Sequence, residues 1–287
     1  MTDHFLSSMS RRNFLLGGSA LLAPRLAMAS QDPGSVAPAA AGPAHKSRGP
    51  IHDTKSRVVR FEAKPEPIAI DTARAAVIVC DMQNDFGTKG GMFDRAGIDI
   101  SGIQRAVGPT SRVLASARSA GIKIVYLKMG YSPDLSDLGA ADSANRVRHL
   151  RLGVGKTIDA PDGRKSRILI RDTWNTDIVP ELKPEPGDEV VYKTRFSGFY
   201  KTDLHARLKK MEIKHLIVTG CTTSICVDST VRDAMFRDYL CVLLADCMSE
   251  PIGFGLPRSN HDASLLAVEV LLGWVSDSDQ FIKALQV

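Results

Sequence analysis

Short, uninterrupted apolar runs separated by longer amphipathic or irregular stretches set the rhythm of this chain. Val77 to Cys80, Ile122 to Leu127, Glu189 to Tyr192, Leu216 to Val218 and Cys241 to Ala245 are of strand length. Runs with little polar alternation suit strands buried on both faces of a parallel sheet. Between them, Ile103 to Ala120 repeats apolar residues at helical spacing and closes on Gly121; Thr202 to Met211 reads as a second helix and His261 to Trp274 as a closing one. Strand and helix in alternation predict one α/β domain of three layers, a mostly parallel central sheet flanked by helices and joined by right-handed crossovers. Ile51 to Asp71 has no clear period. Gly130 to Lys183, which includes GAADSANRVRHLRLGVG, is rich in Gly, Asp and Arg and too long for a simple connection. It is expected to be a functional loop or an excursion that meets a partner.

The first fifty residues have a different pattern. Ser10 to Ser30 reads SRRNFLLGGSALLAPRLAMAS: a paired arginine, Phe14 and Leu15, a short apolar run with glycines, then Ala27-Met28-Ala29. This predicts a twin-arginine export leader over residues 1–29, cleaved after Ala29; the other reading is a basic amphipathic tail, since the run is too short to span a bilayer. Residues 30–50, rich in Ala, Pro and Gly, are expected to form a disordered spacer, leaving 51–287 as the folded domain. The protein is then expected to be periplasmic or secreted, with no membrane attachment once the leader is removed.

Composition narrows the function classes. With 287 residues, 44% of them hydrophobic, the chain can bury a full core. A formal charge of +5, part of it in the leader as Arg11, Arg12 and Arg25, is too mild and too mixed with acids to argue for nucleic acid. Five cysteines are an odd number without CxxC pairs, which disfavours a thiol redox protein and leaves at least one free thiol. Cys80, Cys221, Cys241 and Cys247 lie in or beside apolar strands, where buried structural thiols are expected; a Cys221–Cys226 redox pair is the alternative.

Cys226 is different. In HLIVTGCTTSICVDSTVRDAMFRDY, His215 to Tyr239, a buried strand breaks at Gly220 and Thr222, Thr223 and Ser224 begin a helix whose apolar face is Val227, Val231, Ala234 and Met235. A thiol in the first turn meets unpaired N–H groups and the positive end of the helix dipole, so its pKa is expected to fall. The N–H groups of Thr222 and Cys226 are placed to form an oxyanion hole. A cysteine after an apolar strand can equally be a small core residue.

The motif GCTTSICVDSTVRDA resembles the nucleophile segment of the isochorismatase-like cysteine hydrolases. Two further segments resemble the same family in the same order: AAVIVCDMQNDF, Ala75 to Phe86, ending a strand in the acid Asp81, and DEVVYKTRFSGFY, Asp188 to Tyr200, delivering Lys193. The resemblance implies a catalytic triad of Asp81, Lys193 and Cys226 gathered at the carboxyl ends of parallel strands, with a cis peptide between Cys221 and Thr222. It implies a homo-oligomer, assembled through faces near the active site. Within the family, KTRFSGFYKTDL and GWVSD resemble the ureidoacrylate-hydrolysing branch, and GYSPDLSDL and RILIR the biuret-hydrolysing branch. The implied substrate is a small amide or ureido compound, and Cys226 argues against vinyl-ether hydrolysis. The metal-binding branch uses an aspartate and a histidine pair; GGMFDRAGIDIS and LKMGYSPDLSDL hold no histidine, so neither metal nor other cofactor is expected. Gln83, Met129, Tyr131, Trp174, Asn175, Arg195 and Phe199 are the candidate substrate-binding residues, with Arg195 either pairing with a substrate carboxylate or solvated. A binding protein that keeps the fold without catalysis is the rival reading.

Overall fold

A computed structural model describes residues 56–253, 256–257 and 259–286, so the expected leader and spacer lie outside the described residues. The chain enters through an antiparallel pair, β1 (Val58–Phe61) and β2 (Ile68–Asp71), then runs into β3 (Ala75–Cys80), the one-turn helices α1 (Asn84–Gly87) and α2 (Met92–Arg95), and the long α3 (Ser101–Ser119). β4 (Lys123–Met129) leads to an excursion holding α4 (Ala144–Arg151) and the small antiparallel pair β5 (Thr157–Asp159) and β6 (Lys165–Arg167). Next come β7 (Glu189–Lys193), α5 (Leu204–Lys210), β8 (His215–Cys221), α6 (Asp228–Met235) and β9 (Leu240–Ser249). The chain closes with α7 (Asn260–Ala267), β10 (Trp274–Ser276) and α8 (Ser278–Leu285).

Six strands form the central sheet, in the order β10-β9-β8-β3-β4-β7, and every pairing is parallel. β3 is apolar and buried throughout because both its faces are covered. Val77 and Val79 pack with Ile124, Tyr126 and residues of α3 and α8; Ala76, Ile78 and Cys80 pack on the other side with Leu127, Val218 and residues of α5 and α6. The three-layer expectation is what the structure shows.

The closing helix is a correction. Helical pattern from His261 ends at Leu272, and Trp274 begins a sixth strand that pairs with Val242 to Leu244. Gly273 packs so closely on β9 that a Cβ there would lie 2.3 Å from the Cys241 carbonyl oxygen, so the chain leaves the helix and joins the sheet edge. The strand order reverses between β3 and β8, since the chain builds outward from β3 to β7 and then returns to its other side. Ligand crevices of open α/β sheets lie at the carboxyl ends of strands at such a reversal.

Candidate active site

Asp81 follows β3 directly and takes a left-handed backbone, φ 52°, a conformation that costs a non-glycine residue roughly 1–2 kcal/mol. Its N–H donates to the Leu127 carbonyl at 2.9 Å, and one carboxylate oxygen accepts the Met129 N–H at 2.9 Å. Both bonds tie the residue to the end of β4. The other oxygen lies 2.7 Å from Lys193 Nζ, in an ion pair with 1% and 0% of the two side chains exposed. Lys193 ends β7, and its ammonium also contacts the Arg195 carbonyl at 3.3 Å and the Met129 sulfur at 3.5 Å. Burial alone would lower this ammonium, but Asp81, together with the nearby thiols, raises it well above its ordinary value. The lysine is therefore held charged.

Cys226 sits in a wide helical turn, Thr223–Val227, closed by the Val227 N–H donating back to the Thr222 carbonyl at 3.2 Å. The thiol is 7% exposed and lies in the electrostatic reach of both Lys193 and Asp81. Its expected low pKa is corrected here: burial dominates and raises it, with Lys193 pulling down and Asp81 pushing up. A helix terminus cannot offset the loss of water around a buried thiolate. The resting side chain is therefore a neutral thiol. Cys80 and Cys221 flank the site, with Sγ atoms 3.7 Å from the Asp81 carboxylate and 3.2 Å from its carbonyl; burial raises both, and all five cysteines are free and buried. The Cys221–Thr222 peptide is cis.

Glu250 and His261, which help to hold the turn, carry no sequence signal. Glu250 accepts the Ser224 N–H at 2.9 Å and its hydroxyl at 2.5 Å on one oxygen, and the Ile252 N–H on the other. His261 Nδ1 is 2.9 Å from the Thr223 hydroxyl, and the Thr230 hydroxyl donates to the Cys226 carbonyl at 2.7 Å. The Glu250 and His261 contacts join positions 26 and 38 residues apart, which no local pattern records.

The candidate substrate residues divide. Met129 touches Lys193, and Tyr131, two residues on, is buried with Lys193, Arg195 and Cys226 all acting on its phenol; burial pushes that group up to about 12. Arg195 follows Lys193, its guanidinium donating to the carbonyls of Asp137 and Thr194 and lying over the Tyr200 ring. These three adjoin the Asp81–Lys193 pair. Gln83 instead clamps the scaffold: its amide oxygen accepts the Met129 N–H at 2.7 Å while its nitrogen donates to the carbonyls of Met129 and Thr176. Asn175 is committed to Asp85 and Ser166, and Trp174 is half-buried with its carbonyl accepting from Asn84. Asp85, bonded also by the N–H groups of Met92 and Leu169, is pushed up to about 6 by burial, and it pins this segment down. Phe199 is corrected from pocket wall to core: it is 6% exposed and stacks on Tyr239 at 5.9 Å, because the face it occupies is the one covered by α5 and α6. Among the described residues no group of three or more His, Cys, Asp or Glu is arranged to hold a metal ion, and no helix is long and apolar enough to cross a membrane.

A buried carboxylate, a buried ammonium and a buried thiol thus meet at the switch point of a parallel sheet. Residues 75–280 match the isochorismatase domain, and the chain belongs to the isochorismatase family. It is 38% identical over 222 residues to ureidoacrylate amidohydrolase RutB of Variovorax paradoxus (strain S110), covering 77% of this chain and 85% of that one. To ureidoacrylate amidohydrolase RutB of Methylorubrum extorquens (strain DSM 6343 / CIP 106787 / DM4) it is 39% identical over 227 residues, covering 79% and 89%. Among solved structures, a cysteine hydrolase from Pseudomonas syringae pv. phaseolicola 1448A superposes with a TM-score of 0.63 at 27% identity, covering 81% of this chain and 98% of that one.

Proposed function

We propose that this chain is a cysteine amidohydrolase that cleaves the terminal C–N bond of a linear carboxamide or ureido compound. The observation that carries it is the fully buried Asp81–Lys193 pair beside the Cys226 thiol. Burying two charges is costly unless each is matched, so the pair has a use beyond stability. Cys226 Sγ attacks the carbonyl carbon as its proton passes to Asp81, and Lys193 stabilises the anionic charge in the site. The N–H groups of Thr222 and Cys226 receive the oxyanion. Collapse breaks the C–N bond; the nitrogen takes the proton from Asp81 and leaves as ammonia. Water then cleaves the new C–S bond, of a thioester from a carboxamide or of a thiocarbamate from a ureido compound, returning the thiol and releasing the acid or a carbamate that decomposes. The similarity to the two ureidoacrylate amidohydrolases favours the ureido class.

Ammonia release from ureidoacrylate, biuret, N-carbamoyl amino acids and simple amides tests this, with Cys226→Ala alongside. Release from a ureido compound, reduced at least about 10⁴-fold in the variant with the fold intact, is expected. Full activity of Cys226→Ala sinks the mechanism, and binding without release in the unmodified chain favours a binding protein. Ser10 to Ser30 supports twin-arginine export, which cell fractionation tests: an exclusively cytoplasmic chain overturns it. Light scattering tests the homo-oligomer implied by the family.

A further inference from the structure

The inner face of α4 presents hydrogen-bonding groups that the triad does not use. Asn145 Nδ2 donates to the Tyr131 hydroxyl at 3.1 Å and to the Leu138 carbonyl at 2.9 Å, which fixes the amide's orientation. Its Oδ1 is buried with no hydrogen-bond partner. One turn on, His149 is 7% exposed and packs edge-on against the Tyr131 ring at 5.5 Å. Its Nδ1 lies 2.7 Å from the Asn145 carbonyl, an obligate acceptor, so Nδ1 carries the proton and Nε2 is left as an acceptor. Nε2 has no hydrogen-bond partner among the described residues. Burial, aided by the charges of Lys193 and Arg195, lowers the imidazole's pKa and keeps it neutral at pH 7. A protein rarely leaves a buried acceptor such as Asn145 Oδ1 unmatched.

We propose that Asn145 Oδ1 and His149 Nε2 determine substrate specificity by accepting N–H groups of the substrate, while Arg195 takes a carboxylate at its far end. The contacts run from Asp81 and Lys193 outward: Lys193 touches the Arg195 carbonyl and the Met129 sulfur, and Tyr131, two residues after Met129, touches Asn145 and His149. Two acceptors beside a guanidinium describe a ureido acid, whose internal N–H a plain carboxamide lacks. This rests on the amidohydrolase reading for the placement of the scissile carbonyl, but not on turnover for its test.

The test is calorimetric binding to full-length Cys226→Ser of three compounds: 3-ureidopropionate; glutaramate, which replaces the internal N–H by CH₂; and n-propylurea, which replaces the carboxylate by methyl. 3-Ureidopropionate is expected to bind roughly tenfold tighter than glutaramate and about a hundredfold tighter than n-propylurea. His149→Phe, which keeps a ring against Tyr131, is expected to erase the first preference and keep the second. Arg195→Met is expected to erase the second and keep the first. A uniform loss for all three compounds in His149→Phe would assign that residue a packing role and overturn the proposal. Equal binding of the three, or binding of none, overturns it as well. Ammonia release by the unmodified enzyme is scored separately, so an active enzyme with no such preferences defeats this inference and leaves the amidohydrolase reading standing.

Discussion

Asp81, Lys193 and Cys226 stand on strand ends or in the turn just after one, whereas Tyr131, Asn145 and His149 stand in an excursion whose longest element is the eight-residue α4. In the first group Asp81 and Lys193 are fixed by ladder hydrogen bonds of neighbouring parallel strands, and the Cys226 turn is held against them by Glu250, His261 and Thr230. The second is fixed largely by side chains reaching backbone: Arg146 to the carbonyls of Leu135 and Gly139, Arg167 to those of Pro133 and Gly155, and Arg171 to that of Gly130. Bond-making chemistry needs placement within a fraction of an ångström, which a sheet supplies; substrate choice needs a surface that can change without unfolding the sheet. On the proposed function, the two constructions answer those different demands.

The ion pairs of the two regions give the largest contrast. Lys193→Met leaves Asp81 buried without its cation and is expected to cost about 3–5 kcal/mol in urea unfolding at pH 8. Arg171→Met breaks the Arg171–Asp137 pair of the excursion, whose side chains are 33% and 25% exposed, and is expected to cost under about 1 kcal/mol after solvent screening. Equal losses would mean that the sheet edge is no better insulated than the excursion.

Glycines sharpen the same comparison with a smaller effect. Gly220 in β8 has φ 113°, and a Cβ there would lie 2.0 Å from the Cys80 carbonyl oxygen. Gly220→Ala must push β8 away from β3 where Asp81 and the nucleophile turn meet, and is expected to cost about 3 kcal/mol and most of the activity. Gly163 in the excursion has φ 83° with nothing within 4 Å of its Cβ position, so Gly163→Ala is expected to cost only about 1 kcal/mol and spare activity. Thermal unfolding and ammonia release check both.

The same division decides what the sequence revealed. Strand runs such as Val77 to Cys80, and the meeting of Asp81, Lys193 and Cys226 after their strands, were legible because local apolar pattern and motif spacing carry them. Gln83 belonged to a motif, yet its part in clamping Met129 to Thr176 depends on atoms 46 and 93 residues away. His149 was hidden inside a charged, irregular segment because its partners are its own helix and Tyr131, not a periodic face. Phe199 was misplaced because its neighbours in sequence adjoin the site while its ring packs on Tyr239 in the core beneath α5 and α6. The pKa of Cys226 was misjudged because a helix terminus is visible in sequence and burial depth is not.

The smallest expected effect is a flat pH profile, and it bears on how the nucleophile is made. Burial holds Cys226 above the ordinary thiol value of about 8.5, with Lys193 opposing and Asp81 adding. Lys193 is held above its ordinary value of about 10.4, so its share of stability is complete below that pH and is lost only as the pH rises through the still higher folded value. His149, lowered from about 6.5, is already neutral above that value. None of the three then changes charge between pH 7 and 9, so kcat/KM for a ureido substrate that does not itself titrate should stay constant within about twofold across that interval. A rise with an inflection near 8.5 would instead show a free thiolate as the attacking species. The sheet edge would then have to admit water to Cys226, and the contrast between its insulated chemistry and the adaptable excursion would fail at the atom where it matters most.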